Sequence, residues 1–187
     1  MVKSVLMVAT RYLHPTPDAA VLSVIGVGGY GRGEMAPFSD VDLLFLLPGK
    51  IDPWASSVIE SMLYLLWDLK LKVGHSSRTI NDCVELAKED YTIQTALLEH
   101  RYVCGDTALA ERLDETLTRE LFSGSGRDFI EAKLEERDSR HLKQGQRYVV
   151  EPNVKEGKGG LRDLQSLFWI AKFIHGVQHS ADLVEKG

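Results

Sequence analysis

The segment Gly28-Gly29-Tyr30-Gly31-Arg32-Gly33 lies between two apolar runs, and the second run opens with Ser39-Asp40-Val41-Asp42. Nothing else in the chain restricts its fold as strongly. Alternate side chains of a strand share a face, so the pattern predicts that Asp40 and Asp42 project together while Val41 enters the core. Two converging carboxylates beside a loop rich in backbone N–H donors suit a divalent metal and a polyphosphate. The chemistry expected from these residues is nucleotidyl transfer.

Two better-known glycine motifs fail on context. Gly26-Val27-Gly28-Gly29-Tyr30-Gly31 matches GxGxxG letter for letter. That motif must open a crossover helix, which needs a dozen or more residues before the next parallel strand. Here the next apolar run starts at Val41 and Pro37 breaks the interval. The Walker pattern fails as well, because Arg32-Gly33 stands where Lys-Ser/Thr is required. What remains is a strand, two small residues, and Asp-x-Asp about ten residues on. This spacing leaves room for one short helix and a tight return, which puts loop and carboxylates on one edge of a small sheet.

At 187 residues the chain has room for one domain, or one with part of a second. Its formal net charge of −5 gives no general basic footprint, so nucleic acid is not the expected partner. Cys83 and Cys104 stand alone, without metal-ligand spacing, and read as reduced thiols of a cytoplasmic protein. No stretch reaches the apolar length of a membrane span. The apolar start is too short for an export signal and is interrupted by Arg11.

Along the chain, residues 1–20 read as the tail of a helix and a turn with Pro15 and Pro17 as breakers. Strands are expected at Val21–Val27, Val41–Leu47 and Lys72–Ile80, with Gly74 a bulge or a close-approach position. Val58, Ile59, Met62, Leu63, Leu66 and Leu69 keep helical spacing between Pro53 and Lys70, with Pro53 in the first turn. Beyond Asn81-Asp82, expected to cap a short helix, helical patterns run near 91–103, 107–122 and 126–147, the last a charged, solvated face. A loop from Glu151 to Gly160 then leads to a final helix with an apolar stripe of Leu161, Leu164, Leu167, Phe168, Ala171 and Ile174. Trp67 and Trp169 read as core residues. The first part is therefore α/β and the rest helical.

Nucleotidyl transfer develops charge on the attacking and leaving oxygens, which paired metals about 4 Å apart stabilise. Asp40 and Asp42 suit such metals, and the loop N–H groups suit the β- and γ-phosphates. Arg32 either adds a fixed positive charge or pairs with Glu34 at the surface; Ser39 offers a hydroxyl to a phosphate oxygen. Lys155, Lys158 and Arg162 surround glycines at the start of the last helix. That segment reads either as an anion site or as a linker.

These residues resemble a known family. Val27-Gly28-Gly29-Tyr30-Gly31-Arg32-Gly33-Glu34 with Ser39-Asp40-Val41-Asp42-Leu43-Leu44-Phe45 is similar to the active-site segment of PII uridylyltransferase/uridylyl-removing enzymes, within the polymerase-beta-like nucleotidyltransferase superfamily. The segments Leu63–Asp68, Lys72–Thr79 and Glu151–Asp163 agree. The resemblance implies an α+β fold, a small mixed sheet with flanking helices over 1–105, followed by a truncated all-α region over 106–187. It implies Mg²⁺-dependent transfer of UMP from UTP to a tyrosine hydroxyl of the signalling protein PII, with release of pyrophosphate. Asp40 and Asp42 are then the metal-binding catalytic carboxylates. Gly28, Gly29, Gly31, Arg32, Gly33 and Ser39 hold the nucleotide, with Lys158 and Arg162 folding over it.

Two departures accompany the resemblance. The chain has no His-Asp dipeptide, so the family's phosphohydrolase half is not expected in it, and it reads as a truncated fragment. The strand that usually supplies a third carboxylate reads Lys72-Val73-Gly74-His75-Ser76-Ser77-Arg78. His75 is then either a proton acceptor or a structural histidine, and a catalytically incomplete nucleotide-binding fragment stands as the alternative. A related enzyme using another nucleotide or acceptor is a further one.

Overall fold

The computed structural model describes residues 1–15, 21–36, 38–124, 126–143 and 153–176. Pro17, Pro37, the expected helix end at 144–147, and Glu151 and Pro152 lie outside them. Two compact units divide the chain, Met1–Leu121 and Phe122–Gly187. No described helix is long and apolar enough to cross a membrane.

The first unit is built on a four-stranded mixed sheet in the order β3-β2-β1-β4. Its strands are β1 (Ser23–Gly26), β2 (Val41–Leu47), β3 (Val73–Thr79) and β4 (Arg101–Gly105). β1 runs antiparallel to both β2 and β4, and β2 runs parallel to β3. The α+β fold expected from the resemblance is the one observed, and three of the four strands fall where the apolar runs predicted them. β4 is the exception. The reading of 91–103 as helix is corrected: α5 (Tyr91–Leu98) ends before a five-residue edge strand.

Helices cover both faces of the sheet. On one face α1 (Val2–Val8) and α3 (Pro53–Asp68) bury Val5, Leu6, Val58, Met62 and Leu66 against Val24, Leu43 and Phe45. Asp52 caps α3 by accepting the Ala55 N–H at 2.7 Å, and Pro53 occupies the first turn as expected. By strand alternation Ile25, Leu44 and Leu46 serve the other face, where α4 (Ile80–Glu89) and α6 (Thr107–Glu120) pack. The α6 helix, expected with the second part, belongs to the first unit because Leu109, Leu113 and Leu117 turn inward. The cap of α4 is Thr79 rather than Asn81-Asp82. Thr79 and Asp82 form a reciprocal capping box, and Asp82 supplies its far end. Cys83 and Cys104 are buried free thiols, each pushed up to about 11 by desolvation.

The second unit pairs α7 (Arg127–Lys143) with α8 (Leu161–His175). The apolar stripe read from the sequence is not the buried face of α8. Leu161, Leu164, Leu167 and Ile174 are exposed, while Ser166, Trp169, Lys172 and Phe173 are buried. Aromatic packing decides this. Phe173 stacks on Phe129 at 4.6 Å, and the buried Lys133 ammonium lies over both Phe129 and Trp169. Trp169 is core as expected. Trp67 is not: it is 43% exposed and meets Tyr64 edge-on at the surface.

Candidate active site

The site forms where β1 and β2 meet the glycine segment. That segment folds as a single short helix, α2 (Gly28–Arg32), which starts at Val27 and stops at Gly33 in the left-handed region. Val27 donates its N–H to the Asp42 carbonyl at 3.1 Å, which ties the helix start to the strand carrying the carboxylate. The first-turn N–H groups of α2 are free of i−4 partners, as at any helix start.

Asp42 is held between two glycines. It is paired in register with Gly74 of β3. A Cβ on Gly74 would collide with Asp42 Oδ1, and a Cβ on Gly28 would lie 3.3 Å from Oδ2. The close-approach role expected of Gly74 is therefore observed, and its cause is the carboxylate itself. Burial raises the pKa of Asp42, and the neighbouring Asp40 charge raises it further. Asp40 and Ser39 are exposed just before β2. The two carboxylates thus act on each other electrostatically. Such a pair loses its repulsion when a divalent cation sits with it.

A cleft of about 270 Å³ opens beside Asp42, lined by Gly28, Gly74, His75, Ser76 and, on α5, Ile93. His75 is exposed at the sheet edge with its ring edge-on to Phe45, 6.5 Å between centroids. Among the described residues no cluster of three or more His, Cys, Asp or Glu side chains forms a metal site. Asp42 lies against Gly28 of the glycine helix, with Asp40 just before it in sequence, a pair of carboxylates whose chemistry suits a hard divalent cation completed by phosphate oxygens and water.

Arg32 is engaged on both sides. It pairs with the buried Glu99 at 2.6 Å and with the exposed Glu34 at 3.3 Å. Desolvation works against its charge, but the hydrogen bonds and charges of Glu99 and then Glu34 together outweigh it, and the pKa is raised. The surface pair with Glu34 expected from the sequence is present; the buried one with Glu99 was missed. Arg101 was missed too. It donates to the Gly31 and Tyr30 carbonyls at 2.9 and 2.8 Å. No local pattern signals either contact, because the partners lie 67 to 71 residues apart.

Lys158 and Arg162 belong to the second unit. The N–H groups opening α8 are already used: Leu161 and Arg162 donate to Val154 and Lys155, and Asp163 and Leu164 to Gly160. Gly159 donates to Asp163, whose pKa is lowered although desolvation opposes it, because Gly159, Arg140 and His141 all hydrogen-bond to it. Arg162 donates to Gln165 at 2.9 Å and Glu156 at 3.5 Å and lies over Trp169. Lys158 is exposed.

Residues 13–103 match the nucleotidyltransferase domain family, and residues 128–187 match the GlnD PII-uridylyltransferase family. A bifunctional uridylyltransferase/uridylyl-removing enzyme of Ruegeria pomeroyi is 64% identical over 100% of this chain and 21% of its own length. The chain belongs to the PII-uridylyltransferase family. Relatives of the same description from Cereibacter sphaeroides and Azospirillum brasilense are 62% and 53% identical, each over 100% of this chain and 20% of their own length. The chain thus spans about a fifth of the length of the curated relatives it matches. Among solved structures, a chain titled "Crystal structure of the toxin-antitoxin with AMP-PNP" aligns with TM-score 0.44 and 15% identity over 72% of this chain and 99% of that one. So slight a likeness adds nothing to the assignment.

Proposed function

We propose that the first unit transfers UMP from UTP to a tyrosine hydroxyl of the signalling protein PII, releasing pyrophosphate, in the cytoplasm and with Mg²⁺. The observation that carries this reading is the Asp42 carboxylate seated between Gly28 and Gly74, next to Asp40. Asp40 and Asp42 would hold the divalent cation, which when bound neutralises charge on the phosphates and on the oxygens that exchange at the α-phosphorus. The N–H groups of Gly28, Gly29 and Tyr30 orient the β- and γ-phosphates, and the missing side chains of the glycines let the triphosphate approach. Gly31 and Gly33 keep that helix short and close to the sheet. Ser39 offers its hydroxyl to a phosphate oxygen.

In the reaction the tyrosine oxygen bonds to the α-phosphorus as the bond to the β-phosphate oxygen breaks. The hydroxyl proton leaves to a base and the electron pair leaves with pyrophosphate. His75 adjoins the cleft, but it pairs with Leu43, one step along β3 from the Asp42–Gly74 pair, and its ring meets Phe45 on the other sheet face, which favours a structural part for it.

A second reading, nucleotide binding without turnover, is favoured by the lack of a third carboxylate among the described residues. One experiment separates the two: UTP binding by calorimetry beside UTP-dependent labelling of PII and pyrophosphate release. Transfer that falls on the order of 10³-fold in Asp40→Asn and Asp42→Asn supports the enzyme, a loss of about 4 kcal/mol in transition-state stabilisation. Binding without release supports the module, and unimpaired variants reject the roles of both carboxylates.

A further inference from the structure

We infer that Glu99 and Arg101, which flank the turn between α5 and β4, are positioning residues for the glycine helix α2, and that Arg32 acts through Glu99; this rests on the nucleotidyl-transfer reading of the site. The α2 helix cannot hold itself. It is five residues long and three of them are glycine, each about 1 kcal/mol worse than alanine in a helix interior, and a single turn is far below the length at which helices persist alone. Its geometry must come from its surroundings.

Those surroundings grip it at two points. Arg101 sends Nε to the Gly31 carbonyl and Nη2 to the Tyr30 carbonyl, and its guanidinium lies 5.3 Å from the centre of the Tyr30 ring. Both carbonyls belong to the last turn of α2, the Tyr30 one also accepting the Gly33 N–H at 3.3 Å, and a cation at a helix C-terminus is favoured by the dipole. On the other side, the Gly31 Cα rests against the Glu99 carbonyl so closely that any Cβ would collide with it. The Glu99 carboxylate, itself buried, takes the Arg32 Nη1 donor. Carbonyl and carboxylate of one residue thus hold consecutive residues of α2, and Arg101 holds the same turn from the neighbouring strand. The opposite end of α2 is Gly28, in contact range of Asp42. The brace therefore sets where the first-turn amides stand relative to the carboxylates.

The test compares wild type with Arg101→Gln, Arg101→Lys, Glu99→Gln, Arg32→Gln and the Glu99→Gln/Arg32→Gln double variant. Calorimetry measures Mn²⁺ alone and then UTP with Mn²⁺, with near-ultraviolet dichroism as the check on folding. Arg101→Gln is expected to weaken UTP binding about tenfold, as losing a charge-assisted pair does, while Mn²⁺ affinity stays at the wild-type value. Arg101→Lys recovers part of the loss. Glu99→Gln and Arg32→Gln weaken UTP to similar extents, and the double variant is no worse than either. Equal losses of Mn²⁺ and UTP affinity would reduce Arg101 to a general structural role, and wild-type UTP affinity would remove the brace. Multiplying losses in the double variant would make Arg32 a direct phosphate ligand. A wild-type chain that binds neither probe overturns the functional reading, and the brace with it; an active wild type with unimpaired variants overturns the brace alone.

Discussion

Gly74 of β3 stands in register with Asp42 of β2, and the space where a Gly74 side chain would be is filled by the Asp42 carboxylate. Backbone on one strand thus makes room for a charge on its neighbour. Gly74→Ala should push that carboxylate out of its seat. Transfer is expected to fall on the order of 10²-fold, the scale of an ångström misplacement, with a stability cost of about 1–3 kcal/mol from overpacking. UMP incorporation and thermal unfolding measured on the same sample check this; wild-type transfer in Gly74→Ala would show that the fit has no functional weight.

The raised pKa of Asp42 links the site to stability. Folding favours its protonated form, through burial first and Asp40 second. The contribution to stability is therefore full below the ordinary carboxylate pKa and is lost as pH rises through the folded value. Without metal, Asp42→Asn is expected to melt above wild type at pH 7, and the gap should close in acid. Asp40→Asn should bring the Asp42 titration part of the way back, because desolvation remains. Carbon-13 NMR of the carboxyl groups reads the titration and calorimetry reads the melting.

Thr79 ends β3 and starts α4, so one side chain fixes the passage from the site's edge strand into a helix. Its hydroxyl accepts the Asp82 N–H, and Asp82 in turn accepts the Thr79 N–H and hydroxyl. Thr79→Ala should cost about 1 kcal/mol, as lost caps do, measured by chemical denaturation. The hydrogen bonds from Thr79 lower the Asp82 pKa. Its contribution is therefore present above the ordinary carboxylate value and is lost as pH falls through the folded one, so the Thr79→Ala penalty should shrink in acid.

Local pattern carried much of this fold. The β-branched run before Gly26, the Val41–Leu47 run and the helical spacing after Pro53 each place an element that tertiary packing then confirms. The Asp40/Asp42 pair and the glycine turn were visible for the same reason: their geometry is set within a few residues. The β4 strand was not visible, because Arg101–Gly105 is short, lies at the sheet edge and follows a helix without a strong break. The buried face of α8 was misread because a lysine and a serine occupy it beside Trp169 and Phe173, the Ser166 hydroxyl being satisfied by donating to the Arg162 carbonyl. Glu99 and Arg101 could not be read at all. Their role exists only once β4 has closed against β1 and brought them to α2.

The most direct measurement is a crystal structure of the chain with Mn²⁺ and a non-hydrolysable UTP analogue, with the metal located by its anomalous signal. Manganese bound by both Asp40 and Asp42, with the triphosphate against the Gly28–Tyr30 amides, is the predicted result. Metal held away from those carboxylates, or a triphosphate that leaves the glycine turn untouched, would contradict the account.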